Sequence, residues 1–198
     1  MLLCLASRIG IAAVLAAATV SAFSQVVPAA TEGGLPFSAG GGLSSYDVDW
    51  GHGRMLGGTL WFDYTPGFVP TVLRGIGIEA EARDISFDRG THTSNFRQDT
   101  AGGGPIYTWH HYRNFYPYGK ALLEFGSIDF QVGNPTYTHD TRTVLATGGG
   151  VEARVYHHVW VRADYEYQFW QTLIGGRLDP QGFTLGVKYD FRAFHPRQ

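Results

Sequence analysis

Thiol chemistry is almost absent from this chain: its only cysteine is Cys4, inside an apolar N-terminal stretch, so the rest of the protein forms no disulfide and offers no thiolate. Charge is scarce too. Only 16% of residues are Asp, Glu, Lys or Arg, the formal charge is −2 and the pI is near 6.4, with no segment in which basic residues cluster. That removes the electrostatic footprint of a nucleic-acid binder, and DNA and RNA are excluded as partners. No uninterrupted apolar run after the N-terminus reaches the roughly 20 residues a helix needs to cross a bilayer. The chain also has no HExxH motif. Its glycine triplets, in "SAGGGL", "TAGGGP" and "ATGGGV", do not lead into a helix carrying Lys-Ser or Lys-Thr, so phosphate cradling lacks its context. Bulges, strand coiling and tight packing account for the triplets instead.

The N-terminus reads "MLLCLASRIGIAAVLAAATVSAFSQ", with one positive charge at Arg8, an apolar core from Ile9 to Val20 and the small-residue pattern Ala22, Phe23, Ser24. This is the layout of a secretory signal peptide, expected over residues 1–24. Cys4 precedes the apolar core and is not placed like the modified cysteine of a lipoprotein. A linker is expected over 25–36 and a short tail over 192–198, leaving 37–191 as one domain.

What the chain does have is glycine and rings: 27 glycines and 15% aromatic residues. Between clusters of Gly, Pro, Asn, Asp and His, eight period-two segments recur, which is the strand signal. They run about Phe37–Tyr46, Arg54–Tyr64, Arg74–Phe87, Phe96–Trp109, Tyr116–Phe130, Thr141–Val155, His158–Trp170 and Gln181–Phe191. Several fit the 9–11 residues of a tilted bilayer-spanning strand. The fold class expected is all-β, an eight-stranded antiparallel up-and-down transmembrane β-barrel. "TPGFVPTVL", after the second segment, is long for a turn in this plan and is expected as an ordered rim segment; Pro105 is expected to mark a bulge.

Each segment has an apolar row and a polar row, and the function depends on which row faces inward. In the seventh, Val159, Val161, Ala163, Tyr165, Tyr167 and Phe169 alternate with Arg162, Asp164, Glu166 and Gln168. An eight-stranded barrel has an interior only just wide enough for side chains to fill. The polar row carries many of the glycines, among them Gly40, Gly42, Gly57, Gly148 and Gly186, whereas the apolar row carries rings near segment ends, at Phe62, Tyr64, Phe169 and Tyr189, as bilayer interfaces favour. The apolar row is therefore assigned to lipid. The charges on the other row would be costly in hydrocarbon but can pair inside. They predict a luminal network of Glu79, Glu81, Arg83, Glu152, Arg154, Arg162, Asp164, Glu166, Lys188 and Asp190, with Lys120 and Glu124 on the same row. The network is expected to fill the lumen rather than line an open pore.

The last segment, "FTLGVKYDF", combines a polar residue, glycine two positions later and terminal aromatics: Thr184, Gly186, Tyr189 and Phe191. With the eight segments, this resembles the OmpA-like family of small eight-stranded outer-membrane barrels over about Phe37 to Phe191. The resemblance implies that these four residues form an assembly signal read by the barrel-assembly machinery. It also implies outer-membrane lipid as the surroundings and a monomer. One departure is that the family signal usually ends the chain, whereas "RAFHPRQ" follows here. That stretch is too short for the peptidoglycan-binding domain of larger members, so cell-wall tethering is not expected.

Catalytic, cofactor and metal sites are not expected. His110 with His111, and His157 with His158, fall at one rim, but neighbours in a strand point to opposite faces and chelate poorly. "HTS", His92 to Ser94, has the spelling of a lipid A deacylase pattern but lies in a loop and lacks a paired Glu. The expected role is structural or surface-interacting. The alternatives are a soluble, secreted lipocalin-like binder and, behind it, a lipid A-modifying barrel enzyme.

Overall fold

A computed structural model of the chain describes residues 34–49, 53–66, 75–88, 97–111, 114–130, 138–173 and 176–192. The expected signal peptide, most of the linker and of the tail, the bulk of the rim segment after the second strand, and His92–Ser94 lie outside the described residues.

Nine strands are formed in chain order: β1 (Gly34–Asp47), β2 (Arg54–Tyr64), β3 (Ile76–Asp88), β4 (Arg97–Thr108), β5 (Phe115–Phe130), β6 (Thr138–Tyr156), β7 (Val159–Leu173), β8 (Gly176–Leu178) and β9 (Gln181–Arg192). They pair in sequence as an antiparallel meander from β1 to β7. The ring closes because β9 pairs with β7 on one side and β1 on the other. The short β8 also pairs with β7, so β8 and β9 form one stave interrupted at Asp179–Pro180. The interruption is bridged by the Gln168 amide donating to the Pro180 carbonyl at 2.8 Å. Eight staves thus make a closed antiparallel all-β barrel, and closure removes the exposed sheet edge that would otherwise invite pairing. No helix among the described residues is long and apolar enough to cross a membrane, which says nothing about strands.

The strands form where alternation and β-branched or aromatic residues favour a pleated, two-faced element. Some bounds differ from those read off the sequence. β1 begins at Gly34, inside the stretch expected as linker, and the Thr65 amide still donates to the Pro36 carbonyl at 2.9 Å, extending the β1–β2 ladder. No register shift occurs at Pro105. The β3 ladder runs unbroken past it, while the β5 ladder skips Gly104 and Pro105 and resumes in the same register at Ile106. The missing proline N–H is accommodated as a gap in one ladder rather than as an extra residue. Register shifts appear instead at Leu56/Gly57, Arg154/Tyr156 and Trp170/Leu173.

Burial inverts the usual order. Leu60, Phe62, Leu123, Phe125, Phe183, Leu185 and Val187 are exposed on the outside, whereas Glu79, Glu124, Arg162 and Glu166 are buried within. The interior accommodates such side chains because register sets large against none: Trp61 faces Gly40, Glu81 and Glu124 both face Gly102, Glu166 faces Gly148, Asp164 faces Gly150 and Arg162 faces Gly186. A Cβ at Gly40 would fall on the Trp61 ring, and one at Gly102 on the β5 backbone at Leu123 and Glu124. Gly40→Val is therefore expected to overpack the lumen and lower stability by about 1–3 kcal/mol, read as a lower urea midpoint of the protein refolded in detergent micelles.

Candidate functional site in the barrel interior

The interior is a polar stack closed at one end by buried apolar clusters. Both chain ends of the barrel, at the start of β1 and the finish of β9, lie at what is here termed the terminal end. At the opposite, far end, Tyr46, Val48, Met55 and Ile85 form one buried apolar cluster and Ile128, Val144 and Trp170 another. Beneath them, Gln168 accepts from Gln98 Nε2 at 3.1 Å and from Trp170 Nε1 at 3.0 Å, and donates to Glu166 at 3.1 Å.

Two arginines then take forked carboxylate partners across the barrel. Arg83 donates through Nη1 and Nη2 to Glu166 at 2.7 and 3.2 Å, through Nε to Thr59 at 3.1 Å, and also binds Glu81. Arg162 donates through Nη1 and Nη2 to Glu79 at 2.6 and 3.1 Å, to Asp164 at 2.9 Å, and through Nε to the Tyr118 hydroxyl at 2.7 Å. Planar bidentate geometry of this kind adds direction as well as charge. Aromatic faces cover both guanidiniums: Tyr46 lies 4.3 Å from Arg83, and Tyr118 and Trp61 lie 4.4 and 4.8 Å from Arg162. Lys120 joins the two forks, reaching Glu166 at 2.9 Å, Asp164 at 3.0 Å and Glu79 at 3.2 Å, as well as Glu81. Toward the terminal end, Lys188 pairs with Glu152 and lies 3.4 Å from Asp63, which accepts from Ser38 at 3.1 Å.

This arrangement joins eight of the ten expected network residues: Glu79, Glu81, Arg83, Glu152, Arg162, Asp164, Glu166 and Lys188 are all buried in it. Arg154 stands apart. Next to the β6 irregularity it bonds Asn114 at 3.3 Å and lies 5.7 Å from the Trp160 ring, at the terminal rim. Asp190 is at the same rim, lining a cavity of about 30 Å³ with Asp63, Glu152 and Lys188, and its carbonyl lies 3.0 Å from His158 Nδ1. Both share the row of Glu152 and Lys188, but the strands rise past the core before reaching them, and both are only half-buried. Asp63, Tyr46, Tyr118 and Trp61 were not singled out in the sequence. Period two from Thr59 along β2 would have located Asp63, because it shares a row with Thr59 and Trp61.

Among the rim histidines, His110 packs on Tyr116 at 4.9 Å, His157 on Tyr156 at 4.5 Å and His158 on Tyr189 at 5.7 Å. On the outer face, above the apolar band, Arg97 bonds Asp84 at 2.7 Å and Asp99 at 2.9 Å. In "FTLGVKYDF", Thr184 points inward and bonds Ser44 at 2.7 Å, Gly186 packs on β1, and Tyr189 and Phe191 are exposed outside.

Residues 10–191 match the family described as outer membrane protein beta-barrel domain. The chain belongs to that family. Three solved structures of similar fold are outer-membrane or surface proteins. Neisserial surface protein A is 16% identical, with 80% of this chain and 99% of that chain covered and a TM-score of 0.64. The attachment invasion locus protein of Yersinia pestis is 18% identical over 77% of this chain and 96% of that one, at 0.55. The outer membrane protein OprG from Pseudomonas aeruginosa is 14% identical over 79% and 96%, also at 0.55. No curated protein sequence matches.

For an outer-membrane barrel the inverted burial has a direct reading: the exposed Leu, Phe and Val row is the lipid-facing surface and the charges occupy the shielded interior. Arg162→Ala would strip Glu79 of its forked partner and leave Glu79 and Asp164 to Lys120 alone, one more buried negative charge without its cation, and is expected to cost about 3–5 kcal/mol. Arg97→Ala removes a partly exposed pair and is expected to cost about 1 kcal/mol or less. Urea unfolding in detergent micelles reads both, and equal losses would contradict the buried network.

Proposed function

We propose that this outer-membrane barrel serves a structural or surface-interaction role, with its lumen plugged by the charged network and no catalysis. The observation that carries this reading is the stack itself: Arg83, Lys120, Arg162 and Lys188 are each held by carboxylates from other strands, with side chains nearly closed to solvent. An open aqueous pore would leave a polar lumen hydrated instead. The site residues are then structural, and opening a solute path would require breaking several buried ion pairs at once. The lipid-facing row makes outer-membrane lipid the immediate partner of a monomeric barrel, with no need for an apolar subunit contact.

Residues 1–24 act in this reading as a signal peptide removed during secretion. Thr184, Gly186, Tyr189 and Phe191 form the assembly signal for the barrel-assembly machinery, supported by the placement of β9 at the closing seam, where it pairs with both β7 and β1. The terminal end then faces the periplasm.

In planar bilayers the purified protein is expected to give no large, stable conductance; such a conductance would overturn the plug. Phe191→Ser is expected to reduce the amount assembled in cells several-fold while leaving spontaneous refolding into micelles nearly unchanged. Equal losses in both measurements would make Phe191 a packing residue rather than part of an assembly signal.

A further inference from the structure

The interior is too acidic for its own cations. Among the described residues, the buried acids Asp63, Glu79, Glu81, Glu124, Glu152, Asp164 and Glu166 outnumber the buried bases Arg83, Lys120, Arg162 and Lys188. Six of these acids have an ion-pair partner among the bases, and Glu124 has none. Its residue is fully buried, and neither carboxylate oxygen has a hydrogen-bond partner. One of those oxygens and one each from Glu81 and Glu166 all lie within 4.8 Å of one another.

Backbone geometry produces this convergence. Glu81 on β3 and Glu124 on β5 both stand opposite Gly102 of β4, so no side chain separates them. The hydroxyl of Thr100, the next inward residue of β4, is also buried without a partner. Glu81 and Glu166 already share Arg83 and Lys120, whereas Glu124 shares neither.

We propose that Glu81, Glu124 and Glu166 bind a divalent cation of the calcium class inside the barrel. Carboxylate oxygens suit hard cations. Calcium accepts about 6–8 oxygen ligands in flexible geometry, as an irregular carboxylate cluster of this kind offers, whereas magnesium demands a near-ideal octahedron and gives up its waters reluctantly. A proton on Glu124 would cancel one charge and leave the interior still acidic. A calcium ion removes more of the surplus and gives both orphaned oxygens a partner. The site requires only the closed barrel, so it stands whether or not the lumen conducts.

The test refolds the full chain in detergent micelles with calcium or with EDTA, desalts it, and measures retained calcium by elemental analysis alongside the urea midpoint. The wild-type chain is expected to retain a single calcium per chain and to unfold at higher urea when loaded. Glu124→Gln, which keeps the shape and removes the charge, is expected to retain at least about tenfold less calcium, because ligand charge sets affinity at such sites, and to lose the calcium dependence of its midpoint. Absence of retained calcium in the wild type overturns the site, including the case in which Glu124 is simply protonated. Equal retention by Glu124→Gln also overturns it, since surface carboxylates such as Asp84 and Asp99 would then be the ligands. If Glu124→Gln does not fold, terbium refolded into the wild type decides. Emission sensitised by Tyr46, whose hydroxyl donates to Glu166 at 3.2 Å, and displaced by calcium is expected, and its absence overturns the site.

Discussion

Lys120 is the contact on which the interior depends. Its ammonium reaches carboxylates on β3 and β7 and thereby ties the Arg83–Glu166 fork to the Arg162–Glu79 fork across the barrel. In a low-dielectric interior, removing one member of such a set leaves an uncompensated charge, so the members are held together more strongly than any single pair suggests. The remaining features follow from making room for this network. Long side chains can meet at the axis only because glycine stands opposite them in the next strand, and because apolar clusters close the far end above Gln168.

The outer face answers to a different solvent. Leu60, Phe62, Leu123 and Phe125 would be a liability on a water-soluble protein, yet they form the apolar band of a membrane barrel. Polarity returns at the band's far edge, where Arg97 is held between Asp84 and Asp99. Because the ring is closed through β9, every inner strand finds two neighbours and backbone amides are satisfied without water. The same closure sets β9 against β1, and the small inward residues of β9, Thr184 and Gly186, allow β1 to approach closely.

Much of this was legible because a strand's period of two divides residues into faces without knowledge of the rest of the fold. The parity of Arg162, Asp164 and Glu166, and of Glu79, Glu81 and Arg83, was sufficient to place them inside. Parity says nothing about height along the barrel, which is why Arg154 and Asp190 share the row of Glu152 and Lys188 yet lie at the rim, and why Pro105 became a ladder gap rather than a bulge.

The sequence by itself determined the number of staves, the alternation of faces and the family, since each is written in local spacing or in matching residues. Only the tertiary structure decided the partners. Arg83 and Glu166 are separated by 83 residues, as are Arg162 and Glu79. Their meeting depends on register and closure around the whole ring, and those are set jointly by all eight staves rather than by any segment alone.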